Sequence, residues 1–162
     1  MVEKLKMIWQ DAKQLKDERG LTLVELLVVV VILGIIAAIA VVAIGGIIEN
    51  SKKDAMVADA KQMVSAAKLY VASNEVGNGT VIRFVGTKAD SEANGVNMID
   101  TMKDPFGSTY NNGVVYVTKG ADNKYTYKVW LDGAKDIGTA ATVDGTVASS
   151  GLNKDSVKDL VN

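Results

Sequence analysis

Apolar residues follow three regimes along the chain. Before residue 20, Leu5, Ile8, Trp9, Ala12 and Leu15 recur at helical spacing and make one face flanked by charge. The 23 residues from Leu26 to Ile48 then carry no charge and contain only Leu, Val, Ile, Ala and Gly. Beyond them the apolar positions thin to a stripe, Met56, Ala60, Met63, Val64, Ala67 and Val71, with Lys52, Lys53, Asp54, Asp59, Lys61 and Lys68 on the opposite face. This pattern predicts one helix from Thr22 to Ser73, ~78 Å long at 1.5 Å per residue. Its first half is apolar on all sides and needs lipid or other helices around it. Its second half has a single apolar face to hold a small domain. Ser73-Asn74 and Gly77-Asn78-Gly79 end it.

The remainder alternates in the manner of strands. Thr80–Val85 reads as a short strand, and Val114–Thr118 and Tyr125–Leu131, rich in Val, Tyr and Trp, as better ones. Gly120-Ala121-Asp122-Asn123 is a hairpin turn between the latter two. Gly86–Ser108 is expected to be a polar loop with a helical turn near Val96–Met102. Ala140–Val147 is expected to add edge strands around Asp144-Gly145, and Asn153–Val161 a short helix capped by Asn153. The expected class is α+β: a long N-terminal helix, apolar and then amphipathic, packed against a small antiparallel sheet. The expected divisions are a leader at 1–20, an apolar helix at 21–48, its amphipathic half at 49–76 and a β-rich head at 77–162.

Composition narrows the chemistry. The chain has 162 residues, a net charge of −1, and neither Cys nor His. No general basic field draws it to nucleic acid. A zinc site of Cys and His ligands or a Ser-His-Asp triad cannot be assembled, and phosphate loops and nucleophile elbows are missing from the sequence. The chain therefore reads as a non-enzyme with no cofactor. Asp132, Gly133, Asp136 and Gly138 resemble a calcium loop only loosely. Their spacing matches no EF-hand, so they read as solvated turn residues and no metal is assigned. Tyr110, Tyr116, Tyr125, Tyr127 and Trp130 read as sheet aromatics rather than a base-stacking surface, since nearby Lys119, Lys124 and Lys128 are balanced by Asp104, Asp122 and Asp132.

The uncharged run exceeds the ~20 residues that span a ~30 Å hydrocarbon core. Glu25 lies directly ahead of it, after Leu21–Val24. An ionisable residue at the edge of a membrane segment is costly and by default has a partner and a task. The stretch Gly20, Leu21, Thr22, Leu23, Val24, Glu25 resembles the processing site of type IV prepilins and pseudopilins: a Gly, the cut, an apolar first residue, Thr, Leu, any residue, and Glu at the fifth mature position. The family more often has Phe where this chain has Leu21. The resemblance implies a prepilin peptidase cutting after Gly20 and methylating the new amine of Leu21. A secretory signal peptide fits poorly, because there the apolar stretch precedes the cut and here it follows it.

Five Lys/Arg precede Leu21 and four follow Ile48 within 20 residues, a near-even count for orientation. The resemblance decides it, with the leader inside and the C-terminal domain outside. The leader is expected to lie on the cytoplasmic membrane face as an amphipathic helix. Glu25 is expected to pair with the Leu21 amine of a neighbouring subunit, with Thr22 in the same assembly segment, because two buried opposite charges must meet. Gly34, Gly45 and Gly46 are soft spots in the apolar half, serving either close helix packing or local melting. Many pilins have Pro where this chain has Val42. Asp104-Pro105-Phe106-Gly107 with Tyr110 resembles the loop ahead of the sheet in major pseudopilins and some Gram-positive pilins. The resemblance implies a homo-oligomeric helical filament, served by a prepilin peptidase, an assembly platform and its ATPase. It implies residence in the cytoplasmic membrane before assembly and on the cell surface afterwards. Two further readings stand beside the pilus subunit: a pseudopilin of a type II secretion or competence DNA-uptake system, and a monomeric membrane-anchored extracellular binding domain.

Overall fold

The computed structural model describes residues 2–107, 109–139 and 142–159, with the side chains of 14–21 outside that description. The chain divides into two compact units, Met1–Ile47 and Ile48–Asn162. Helix α1 runs over Val2–Ser73. In the first unit, the described side chains are exposed except that of Ala40, which is half-buried. The helix is unbroken at Gly34, Gly45 and Gly46.

In the second unit the helix buries one face. Met56, Val57, Ala60, Met63, Val64, Ala66 and Ala67 are all buried, at the 3.6-residue period that the sequence displays. Burying side chains as large as Met or Val contributes about 1.5–3 kcal/mol each. The helix closes where expected: the Asn74 backbone N–H and its side-chain amide both donate to the Tyr70 carbonyl at 2.9 Å, and the Ser73 hydroxyl donates to Leu69 O. The two side chains thus double up on carbonyls of the last turn, as Ser and Asn do when they compete with the helix backbone.

Seven strands follow among the described residues: β1 (Thr80–Val85), β2 (Ala93–Asn94), β3 (Asn112–Lys119), β4 (Tyr125–Asp132), β5 (Lys135–Ile137), β6 (Val147–Ala148) and β7 (Val157–Asp159). They lie in the order β2-β1-β3-β4-β5-β7, with β6 also on β4. Every pair is antiparallel except the two-residue β1–β2 pair. Ile82, Val115, Val117, Val129, Leu131 and Ile137 face the helix and are fully buried. Gly113 lets helix and sheet approach: a Cβ there would stand 3.1 Å from the Met63 methyl and 3.2 Å from Leu131. The β3–β4 turn takes the expected form, with Asn123 at φ 62 and its N–H donating to Gly120 O. Asn and Asp tolerate that left-handed region better than other side chains.

Three local expectations change. The tail forms one 3-10 turn, Lys154–Ser156, capped by the Asn153 side chain as expected, and then turns into strand β7 rather than continuing as a helix. Val157 is buried beneath it, and a single β-branched anchor suits a short strand better than a helix with only one turn of cap behind it. Leu160 to Asn162 lie outside the described residues. The stretch 133–138 is not only a turn, because Lys135–Ile137 pairs with β4 and Ile137 is fully buried. Edge pairing around Asp144-Gly145 starts only at Val147. Thr142–Gly145 is a turn closed by Gly145 N–H to Thr142 O, and Ala140 and Ala141 lie outside the described residues.

Candidate functional site

The residues singled out at the N-terminus occupy successive turns of one helix. Gly20 and Leu21 fall within α1, with their side chains outside the described residues. Glu25 comes one helical turn after Leu21 and is exposed, between the exposed Val24 and Leu26. Water favours the exposed carboxylate but not the exposed apolar side chains around it. The helix from Thr22 to Ser73 is long and apolar enough to cross a membrane. Cβ atoms added at Gly34, Gly45 and Gly46 would meet nothing within 4 Å, so no contact within the chain requires glycine at these positions. Val42 is also exposed, with the helix unbroken through it.

In the second unit polar chemistry gathers where the Asp104-Pro105-Phe106-Gly107 loop meets helix and sheet. The Asp104 carboxylate is buried and accepts the N–H groups of Phe106 at 2.8 Å and Ala134 at 2.6 Å. Gly133 lies so close that a Cβ would stand 2.5 Å from Asp104 Oδ2. One carboxylate thus ties the loop to the β4–β5 turn. The Tyr110 hydroxyl donates to Asp59 Oδ2 on α1 at 2.8 Å and ties the same loop to the helix. Burial, followed by Tyr110's bond to Asp59, pushes the phenol's pKa upward. Burial raises the pKa of Asp59, opposed by the Tyr110 bond and reinforced by Asp104. Phe106 is flanked by the Lys135 and Lys52 ammonium groups, 5.0 and 5.6 Å from its ring centre. Lys135 also bridges Glu49 at 3.1 Å and Asp159 at 2.8 Å, joining α1, β5 and β7.

At the other end of the sheet, Arg83 grips Glu92 through two nitrogens, one of them at 2.6 Å from Oε1. It also donates to Asn112 Oδ1 and Val85 O. Arg83 is buried, and its hydrogen bond to Glu92 is the largest cause holding the Glu92 pKa below the ordinary carboxylate value. This pair fastens the loop after β1 to the sheet.

The calcium-like residues are strand residues that accept hydrogen bonds, Asp132 across the β3–β4 pair and Asp136 from the β4–β5 turn. Asp132 accepts from Asn111 and Asn112, and Asp136 from the Gly133 N–H. Among the described residues no three Asp or Glu side chains converge to hold a metal. Tyr110 enters the core, and Tyr125 and Tyr127 pack against it with Lys119 and Lys68 over their rings. These arrangements hold parts of one domain together. Nothing in them positions a nucleophile beside a base.

Sequence reading identified the 104–107 segment only by resemblance. It missed Arg83–Glu92 and the Lys135 bridges because their partners are 9, 24 and 86 residues apart along the chain. One signal was available for Asp59, a charge abutting the apolar positions Met56, Ala60 and Met63.

Comparison with known families matches the N-terminal part of the chain. Residues 15–41 fit the family described as the prokaryotic N-terminal methylation motif, the class III signal peptide of type IV pilins. The match spans Gly20 to Glu25 and runs into the uncharged helix. Neither the curated proteins nor the solved structures yield a significant match to the chain.

Proposed function

We propose, from the methylation motif at residues 15–41, that this chain is the precursor of a structural subunit of a bacterial type IV pilus. A prepilin peptidase removes residues 1–20 and methylates the amine of Leu21. The segment 21–48 holds the chain in the cytoplasmic membrane and then enters the filament core. Residues 49–76 carry the head, 77–162, which coats the outside. An assembly platform and its ATPase add subunits at the base. The observation that carries this reading is the motif's position, immediately ahead of a helix with no charge from Leu26 to Ile48.

Glu25 supplies register. Moved into a filament core, its carboxylate needs a counter-charge, and the Leu21 amine freed by cleavage on a neighbouring subunit provides one. Thr22 lies between the two in sequence. Gly34, Gly45 and Gly46 are where the helix yields during assembly. Glu25→Gln keeps size and hydrogen bonding and removes the charge. The expected result is normal membrane insertion with few filaments by electron microscopy. Filaments in ordinary numbers would remove Glu25 from the assembly step.

A second reading is a pseudopilin of a secretion or DNA-uptake machine, since the Asp104-Pro105-Phe106-Gly107 loop resembles one found in major pseudopilins as well as in some Gram-positive pilins. Abundance separates the two, since a pilus subunit dominates sheared surface filaments and a pseudopilin does not.

A further inference from the structure

Helix α1 continues through residues 19–22, so the bond between Gly20 and Leu21 sits inside a helix. There its flanking N–H and C=O groups are engaged along the axis and neighbouring turns cover its carbonyl. A hydrolase needs that carbonyl free, so something must open the helix at this bond. Upstream, the first turns present an unpartnered apolar face. Leu5, Ile8 and Trp9 are 71%, 69% and 70% exposed, with Ala12 exposed beside them. Glu3, Lys6, Asp11 and Lys13 occupy the other side, and the Lys13 ammonium lies 5.2 Å from the Trp9 ring centre, at the border of the two faces.

Extended straight from a spanning helix, this face would stand in water, with Trp9 about 16 Å and Leu5 about 22 Å along the axis from Gly20. Turned into the plane of the bilayer, it would bury its apolar side chains at the depth where Trp and long Lys side chains are best accommodated. An in-plane segment and a spanning segment cannot share one straight axis. The break falls most easily at Gly20, the first glycine in the chain, since glycine is the weakest helix former after proline.

We propose that residues 2–15 dock flat on the cytoplasmic surface of the lipid bilayer through Leu5, Ile8 and Trp9, and that the resulting bend unwinds the helix at Gly20 and offers the Gly20–Leu21 bond to the peptidase. The occupant of the face is lipid because the adjoining segment already lies in the bilayer, which tethers the leader to its surface at high effective concentration. The charges agree: Lys4, Lys6, Lys13, Lys16 and Arg19 nearly balance Glu3, Asp11, Asp17 and Glu18. Docking is therefore driven by the apolar face and depends weakly on salt. The docking stands without the cleavage reading, whereas the presentation step rests on it.

The test uses the full chain in vesicles of phosphatidylethanolamine and phosphatidylglycerol with brominated acyl chains, with the Trp9→Phe chain defining the signal from Trp130. Trp9 fluorescence is expected to be quenched by the brominated lipid. In the Leu5→Glu/Ile8→Glu chain that quenching is lost, and peptidase cleavage slows about tenfold, as losing roughly 1.4 kcal/mol of docking requires. Trp9 open to an aqueous quencher in the unsubstituted chain overturns the docking. So does Trp9 shielded from both quenchers, which would mean copies of the helix burying it against one another. Unchanged cleavage in the doubly substituted chain overturns the presentation step. No cleavage of any chain, with Trp9 still quenched by lipid, counts against the peptidase reading and for the docking.

Discussion

Glu92 illustrates how much of the head depends on single polar contacts. Its carboxylate meets a buried guanidinium through two bonds and takes the Ala89 N–H as well. Because Arg83 lowers its pKa, the group stabilises the fold above its unfolded value, about 4.3. That contribution is lost as pH falls through the lower folded value. Glu92→Gln in the unit beginning at Ile48 should cost about 2 kcal/mol at pH 7, the scale of charged hydrogen bonds. The difference should narrow when the pH is taken from 7 to below that unfolded value, as the wild-type carboxyl becomes protonated too. Urea unfolding at the two pH values checks this, and a gap that persists in acid would assign the effect to shape rather than charge. Asp59 acts in the opposite sense. Burial raises its pKa, so its ionisation weakens the fold as pH rises through that value. Asp104 and Glu92 each anchor a loop to the rest of the domain. Neither role was legible from the chain, because composition and spacing do not reveal which carboxylate will be buried.

Element by element, legibility followed periodicity. The end of helix α1 at Ser73, strand β1 at Thr80–Val85 and the hairpin between β3 and β4 could be read directly, since each has an apolar repeat bounded by Gly or Asn. Strands β2, β5, β6 and β7 span two or three residues each, too short for a period to register, and they exist because β1, β4 or β5 offers an edge. The tail was misread because a cap followed by mixed residues looks like a helix start. Only the pairing of Val157 with Ile137 reveals the strand. The glycines of the apolar helix raise a different matter. With no neighbour within 4 Å, Ala at Gly45 and Gly46 stiffens the helix by about 1 kcal/mol each without a clash. If assembly requires the helix to yield there, Gly45→Ala/Gly46→Ala should insert into the membrane normally and form fewer filaments. Unchanged filament numbers in micrographs would release these glycines from that role.

For the whole molecule, the two units answer to different surroundings. The second packs its helix stripe, sheet and loop anchors around one core. The first exposes nearly every described side chain and matches the methylation motif at 15–41, a surface that suits lipid or other helices better than water. That contrast underlies the proposal of a subunit that a membrane holds and a polymer consumes. Mass spectrometry of filaments sheared from the cell surface tests this most directly, reporting the mature N-terminus, its methylation and the abundance of the chain together. The expected result is an abundant chain starting at N-methylated Leu21. A chain found in cells with Met1 to Gly20 still attached, and absent from the filaments, would contradict it.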